Sequence, residues 1–150
     1  MSLSNVLPQS NPLSLPDIIC NGAFELLYCR EEKVLKISWG NKVSAEDIAY
    51  GYEAAFMYLK TYGLTKILVT LPLSEPVSAE KMIWFFEEIV PKIIACTQTT
   101  TFMAMVVPVE FYNAISDDMV AVNFLNEQEM LVIDHFLLPE MGLDWLKTLG

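Results

Sequence analysis

Two nearly continuous apolar runs constrain the fold of this chain more than any other feature. They are KILVTL at Lys66–Leu71 and TFMAMVV at Thr101–Val107, and turn residues bound each of them. A strand with one face in water alternates apolar and polar residues, whereas a continuous apolar run is typical of a strand covered on both faces. The sequence therefore predicts a sheet with helices packed on either side.

A β-hairpin is predicted upstream of these two runs. The segments AFELLYC at Ala23–Cys29 and KVLKISWG at Lys33–Gly40 have the composition of strands, and Arg30, Glu31 and Glu32 connect them. A three-residue polar connection between two strands is typical of a hairpin.

A helix is predicted from Ser44 to Gly63. Ser44 and Asp47 have the spacing of a capping box, and Gly63 suits a helix C-cap. Apolar residues recur at helical spacing between them, at Ile48, Tyr52, Ala55, Phe56 and Leu59.

The remaining elements complete an alternating order. We expect a helix over Ser78–Thr97 with a bend near Pro91, an ambiguous helix over 109–116, a strand at Glu129–Phe136 and a helix at Pro139–Leu149. The order β-β-α-β-α-β-α-β-α predicts an α/β fold. The expected sheet is mixed and mostly parallel, has four or five strands, is opened by the hairpin and carries about four helices.

The chain of 150 residues is expected to form one domain over residues 20–150, preceded by an arm. Residues 1–19 contain three prolines, four serines and two asparagines, a composition that disfavours a helix or a central strand. We expect these residues to form an extended N-terminal arm on their own domain or on a neighbouring subunit.

The charge balance argues against nucleic acid as a partner. Nine basic residues face nineteen acidic ones, for a net charge of -10. Binding to nucleic acid or to an anionic membrane surface requires cations, so both partners are disfavoured. The acidic excess serves either solubility or attraction to a basic partner.

Cysteine usage and hydropathy favour a cytoplasmic protein. Cys20, Cys29 and Cys96 are widely spaced, which suggests reduced, packed thiols rather than a disulfide framework or a zinc site. No apolar stretch approaches the ~18–20 residues of a membrane span, and no signal peptide is visible.

Few residues in this sequence are candidates for catalysis or for binding a cofactor or a metal ion. His135 is the single histidine, and its neighbour Asp134 should point to the opposite face of the strand. Neither a phosphate-binding glycine loop nor a G-x-S-x-G motif occurs. We therefore predict no catalytic residue, no cofactor and no metal site, and we expect a protein that is not an enzyme.

Two helices carry apolar residues on more than one side. Tyr50, Met57 and Tyr58 lie off the main stripe of the first predicted helix, and Trp84 and Phe85 widen the stripe of the second. A helix that is apolar on two sides is buried between layers or meets a partner. These five residues predict a homodimer face, with a small apolar ligand cavity or additional core as the alternatives.

The loop after the first apolar run is the other candidate site, and it contains Ser74, Glu75 and Ser78. Ser78 suits a helix N-cap, and a phosphate on Ser74 or Ser78 would lie near a helix N-terminus. A turn with a cap, a partner-contact loop and a phosphorylation site are the three interpretations.

The combined pattern resembles STAS-like proteins, which are relatives of anti-sigma-factor antagonists, and in particular small bacterial STAS-like or SEC14-like proteins. The resemblance covers residues 23–149 and depends on the hairpin ending in ISWG, the segments YGYEAAFMYLKTYG and SAEKMIWFFEEIVPKI, and the final LDWL. It implies a four- or five-stranded sheet with helices. The loop TLPLSEPVSAEK lacks the aspartate and glycine that accompany the phosphorylated serine of the antagonists.

The sequence thus predicts a non-enzymatic regulatory or protein-interaction domain with an unknown protein partner. The alternative is a carrier or sensor of a small hydrophobic ligand. The resemblance implies kinship with lipid-binding relatives, and the eight methionines adapt well to irregular cavities.

Overall fold

The computed structural model describes residues 15–40, 43–72, 85–96, 99–109 and 131–149. The described residues contain six strands in one sheet. The strands are β1 Ile18–Cys20, β2 Phe24–Cys29, β3 Val34–Trp39, β4 Lys66–Thr70, β5 Thr101–Val106 and β6 Leu131–Phe136. The spatial order of the strands follows the sequence. The pairs β1–β2 and β2–β3 are antiparallel, and the pairs from β3 to β6 are parallel.

This architecture confirms the predicted α/β class and the predicted hairpin, which is formed by β2 and β3. However, β1 precedes the hairpin at the edge of the sheet, and the expected count of four or five strands was wrong. The additional strand is β1, which begins in the segment predicted to be only an arm, residues 1–19, and ends at Cys20. β1 has three residues, and Ile18 pairs with Leu27 of β2 at the edge of the sheet. A three-residue strand is too short to show an alternation of apolar and polar residues. Its structure depends on the neighbouring strand, which the local sequence does not show.

Three helices have their bounds in the described ranges. They are α1 Ala45–Tyr62, α2 Val90–Cys96, which continues a π-helical turn at Phe85–Ile89, and α3 Pro139–Thr148. The π turn lies where the sequence predicted a bend before Pro91, a residue that cannot donate a backbone hydrogen bond to the preceding turn. The predicted helix over 109–116 and the start of the helix predicted at Ser78 lie outside the described residues.

Local capping fixes both ends of α1, as the sequence predicted. The Ser44 hydroxyl accepts a hydrogen bond from the Asp47 N–H at 3.1 Å, and the Asp47 carboxylate accepts one from the Ser44 N–H at 3.1 Å. Gly63 follows the helix at φ 61°, and its N–H donates to the Leu59 carbonyl. A left-handed conformation at this position favours glycine because glycine has no Cβ.

Helices cover the two faces of the sheet unequally. α1 and α2 pack on the first face, whose buried residues include Leu35, Ile37, Ile67, Val69 and Met103. α3 packs on the second face, where Leu146 meets Val34, Leu68, Ala104 and Val106. Both apolar runs named above are therefore covered on both faces. No helix in the described residues has the length and apolarity needed to cross a membrane.

Candidate functional site

The carboxyl ends of the parallel strands β4, β5 and β6 lie side by side. We call this end of the sheet the carboxyl edge. Directly after β4, the Leu71 N–H donates to the Val106 carbonyl of β5 at 2.9 Å. The Val107 N–H donates in turn to the Phe136 carbonyl of β6 at 2.9 Å. Loops that leave parallel strands at their carboxyl ends are the usual location of binding sites in α/β proteins.

The predicted contact loop begins at this edge. Ser74, Glu75 and Ser78 themselves lie outside the described residues, so their roles remain predictions. The described residues next to the loop place its start beside β5, because Leu71 still pairs with Val106.

Exposed apolar side chains surround the same carboxyl edge. They are Val109 at 52% exposure, Leu137 at 43%, Leu138 at 53% and Met141 at 53%. The sequence analysis missed this group, although Leu137 and Leu138 stand directly before the proline that begins α3. The described part of the edge therefore offers surface for apolar contact.

The predicted dimer face on α1 is exposed at two of its three positions. Tyr50 is 54% exposed and Met57 is 53% exposed. Tyr58 is only 1% exposed, so it belongs to the core and its assignment to an outer face was wrong. Trp84 and the side chain of Phe85 lie outside the described residues.

The outer side of α1 has a described neighbour on each flank. The Tyr50 ring meets the Phe24 ring edge-to-face, with 5.6 Å between their centroids. Glu53 forms a salt bridge with Lys92 of α2 at 3.8 Å, which places α2 beside the outer side of α1. Both ion-pair side chains are mostly exposed, so this pair contributes little stability and chiefly marks the proximity of the helices.

Four residues form a polar aromatic group where α1 crosses the end of β2. Tyr28 belongs to β2, Arg30 follows β2, and Tyr58 and Tyr62 belong to α1. The Tyr28 and Tyr62 rings stack with 4.6 Å between centroids, and the Arg30 guanidinium lies 5.2 Å and 5.5 Å from their respective centroids. We call these four residues the tyrosine–arginine cluster. Sequence reasoning missed it because β2 and α1 are distant along the chain.

The tyrosine–arginine cluster holds residues Leu15–Asp17, which we call the strap. The Leu15 N–H donates to the Tyr62 hydroxyl at 2.7 Å, and the Tyr58 hydroxyl donates to the Pro16 carbonyl. The Arg30 Nε donates to an Asp17 carboxylate oxygen at 2.6 Å. This hydrogen bond is the main cause that raises the pKa of the Arg30 guanidinium.

A second aromatic group lies at the carboxyl end of β3. The Trp39 ring centroid is 5.4 Å from that of Phe24 and 5.2 Å from that of Tyr52. Tyr52 is buried, and burial raises the pKa of its hydroxyl far above the ordinary value, against the opposing effect of a hydrogen bond with Trp39. Its hydroxyl therefore stays neutral at physiological pH.

His135 lies near the carboxyl end of β6. The Asp134 carboxylate accepts a hydrogen bond from the His135 backbone N–H at 2.8 Å. Burial lowers the pKa of the His135 imidazole, and the Asp134 charge opposes this effect. The described residues contain no group of three or more His, Cys, Asp or Glu side chains that could hold a metal ion.

The depressed pKa of His135 predicts a loss of stability in mild acid. Because the unfolded chain takes up the proton more readily, the free energy of unfolding should fall as pH decreases through the ordinary histidine pKa of 6.5. The loss should end below the folded-state pKa, where both states are protonated. Urea unfolding at pH 7.5 and at about pH 5.5 should show a smaller pH effect in His135→Gln. Equal pH effects in the two proteins would contradict this account, because the chain has no other histidine.

The fold and these surfaces define an α/β protein with a mixed sheet, an aromatic group that binds its own N-terminal strap, and exposed apolar residues on α1 and at the carboxyl edge. Comparison with known proteins finds no matching family model, no significantly similar curated protein and no significantly similar solved structure.

Proposed function

We propose that this chain is a STAS-like protein-interaction domain that acts by regulatory contact and works as a homodimer. The observation that carries the proposal is the exposure of Tyr50 and Met57 on the outer side of α1. These residues are seven positions apart, about two helical turns, so they lie on the same side of the helix. Exposed apolar side chains that join into one contiguous patch are typical of interaction surfaces, and we propose that Tyr50 and Met57 form part of such a patch.

The proposed dimer face extends from α1 towards α2. The salt bridge between Glu53 and Lys92 marks where α2 lies beside the side of α1 that carries Tyr50 and Met57. A stable interface buries about 800 Å² on each partner, more than two side chains provide. We therefore include Trp84 and Phe85, which precede α2, in the proposed face.

The order of the elements supports the STAS-like assignment. An antiparallel hairpin leads into parallel strands, α1 and α2 share one face of the sheet, and α3 covers the other. In this proposal the loop with Ser74, Glu75 and Ser78 contacts a protein partner, because it starts at the carboxyl edge of the sheet.

The homodimer is tested by placing a charge on the proposed face. In Met57→Glu, a carboxylate would enter an apolar interface, so we expect the dimer dissociation constant to increase by at least about tenfold. Sedimentation velocity over a concentration series measures it. Met141→Glu is the matched control, because Met141 has the same 53% exposure but lies on α3.

Two results would contradict the proposal. One is a strictly monomeric wild-type protein at all concentrations, and the other is an equal effect of the two substitutions. Native mass spectrometry of the same samples extends the test. A monomer that co-purifies with a hydrophobic small molecule would favour the carrier function instead.

A further inference from the structure

We propose that the tyrosine–arginine cluster is a docking site for an extended peptide of a partner protein. The peptide it fits carries an apolar residue, a proline and an acidic residue in succession. The strap has this chemistry in Leu15, Pro16 and Asp17, and it occupies the site within the same chain. The strap thus acts as an internal competitor of the partner peptide.

The cluster contacts the strap in the manner of a peptide-binding site. Its side chains bond the backbone of the strap: the Tyr62 hydroxyl accepts from the Leu15 N–H, the Tyr58 hydroxyl donates to the Pro16 carbonyl, and Arg30 Nη2 lies 3.4 Å from the Leu15 carbonyl. Aromatic hydroxyls that bond the carbonyls of an extended proline-containing segment are a recurring mode of peptide recognition. None of these contacts depends on the covalent link between strap and domain.

The site is organised by contacts that do not involve the strap. The stacked rings of Tyr28 and Tyr62 belong to different elements, and Arg30 lies over both rings. Tyr58 also meets both rings, with 6.2 Å between centroids in each case. A preformed site loses less side-chain freedom when a peptide binds, which favours affinity.

The strap is attached by contacts that can be exchanged. The Arg30–Asp17 pair is half exposed, at 49% and 58% of the respective side chains. β1, which follows the strap, has only three residues, and Ile18 is 57% exposed. Leu15 and Ile19 also pack against the core, and an incoming peptide has to replace this apolar contact. Exposed ion pairs and short edge strands contribute little stability, so exchange of the strap leaves the rest of the sheet folded.

Release of the strap together with β1 would also free the edge of β2, which β1 now covers. The Tyr28 N–H, which now donates to the Asp17 carbonyl at 2.8 Å, would become available. An incoming peptide can replace this bond and pair along β2 by strand addition, while Arg30 binds its acidic side chain. The proposal does not depend on the α1 dimer, because the cluster and the exposed side chains Tyr50 and Met57 are different surfaces.

The first test asks whether weakening the strap opens the site to a peptide in trans. The probe is the synthetic peptide NPLSLPDII, which is residues 11–19 of this chain, labelled for fluorescence anisotropy. Full-length Asp17→Ala should bind it about threefold or more tightly than the wild type, because its own strap competes less well. Asp144→Ala, the same change on α3, is the control and should bind as the wild type does. No gain in Asp17→Ala over the wild type and this control would overturn the proposal.

The second test reverses the charge at position 30 and asks whether the site then prefers a basic peptide over an acidic one. Full-length Arg30→Asp should prefer the peptide NPLSLPRII over NPLSLPDII by about fivefold, and the Asp17→Ala protein should show the opposite preference. A merely structural role for Arg30 would not reverse a preference. Equal binding of both peptides by both proteins would overturn the proposal. Circular dichroism confirms that each variant is folded, and Arg30→Gln, which should lose the preference without reversing it, replaces Arg30→Asp if that variant unfolds.

Discussion

Leu146→Ala should reduce the free energy of unfolding by about 2–5 kcal/mol, the range for truncating a fully buried leucine. Leu146 is 0% exposed and is the only fully buried large side chain of α3 among the described residues. It packs in one buried cluster with Val34, Leu68, Ala104 and Val106, which belong to the second face of the sheet. The substitution removes this contact and leaves a cavity that the backbone of three strands cannot fill. Urea unfolding monitored by far-ultraviolet circular dichroism measures the change.

Met141→Ala is the matched control for this prediction. It also truncates a long apolar side chain of α3, but Met141 is 53% exposed, so its effect should stay within about 0.5 kcal/mol. A domain of ordinary stability, about 5–15 kcal/mol, remains folded after most of the expected range of loss at Leu146. A loss at Leu146 no greater than the loss at Met141 would mean that α3 does not depend on this side chain.

The sequence was informative where one short segment determines the structure. Ser44 and Gly63 were predicted as the ends of α1 because caps depend on residues within one turn. The runs at Lys66–Leu71 and Thr101–Val107 were predicted as strands covered on both faces because burial on both sides removes polar alternation. Both predictions follow from local chemistry alone.

Contacts between segments that are distant along the chain could not be predicted from local sequence. Tyr58 was placed on an outer face because the stripe through Tyr52, Phe56 and Leu59 was taken as the whole buried side of the helix. The structure covers Tyr58 from another direction, with the strap at Pro16. Helical periodicity cannot show which other segment covers a helix. The buried side of α1 was therefore predicted to be narrower than it is.

The two candidate sites differ in the same respect, because local sequence could identify one of them but not the other. Tyr50 and Met57 could be identified from helical spacing, because their exposure depends on their angular position in α1. The tyrosine–arginine cluster could not be identified from local sequence, because it joins the end of β2, the carboxyl-terminal half of α1 and the strap. The pairing of β1 with β2 helps to bring Asp17 to Arg30, and that pairing involves three residues.

Gly51→Val should reduce the free energy of unfolding by about 2 kcal/mol, because α1 crosses the Trp39 ring at this glycine. A Cβ at position 51 would lie 2.3 Å from Trp39 Cη2, whereas carbon atoms in contact need about 3.5–4.0 Å. The ring cannot move freely because Phe24 and Tyr52 flank it. Replacing a helical glycine by itself favours the helix by less than about 1 kcal/mol, so the clash should dominate.

A double-mutant cycle with Trp39 isolates this clash. In a Trp39→Leu background the partner ring is absent, so Gly51→Val should cost less than in the wild type, with a coupling energy of at least about 1 kcal/mol. Ala49→Val introduces the same side chain at an exposed position of α1 and measures the cost of valine relative to alanine in this helix. An equal cost of Gly51→Val in both backgrounds would mean that Trp39 does not require glycine at this crossing. The cost would then have to arise from neighbours of the new side chain other than Trp39, because replacing the glycine by itself favours the helix.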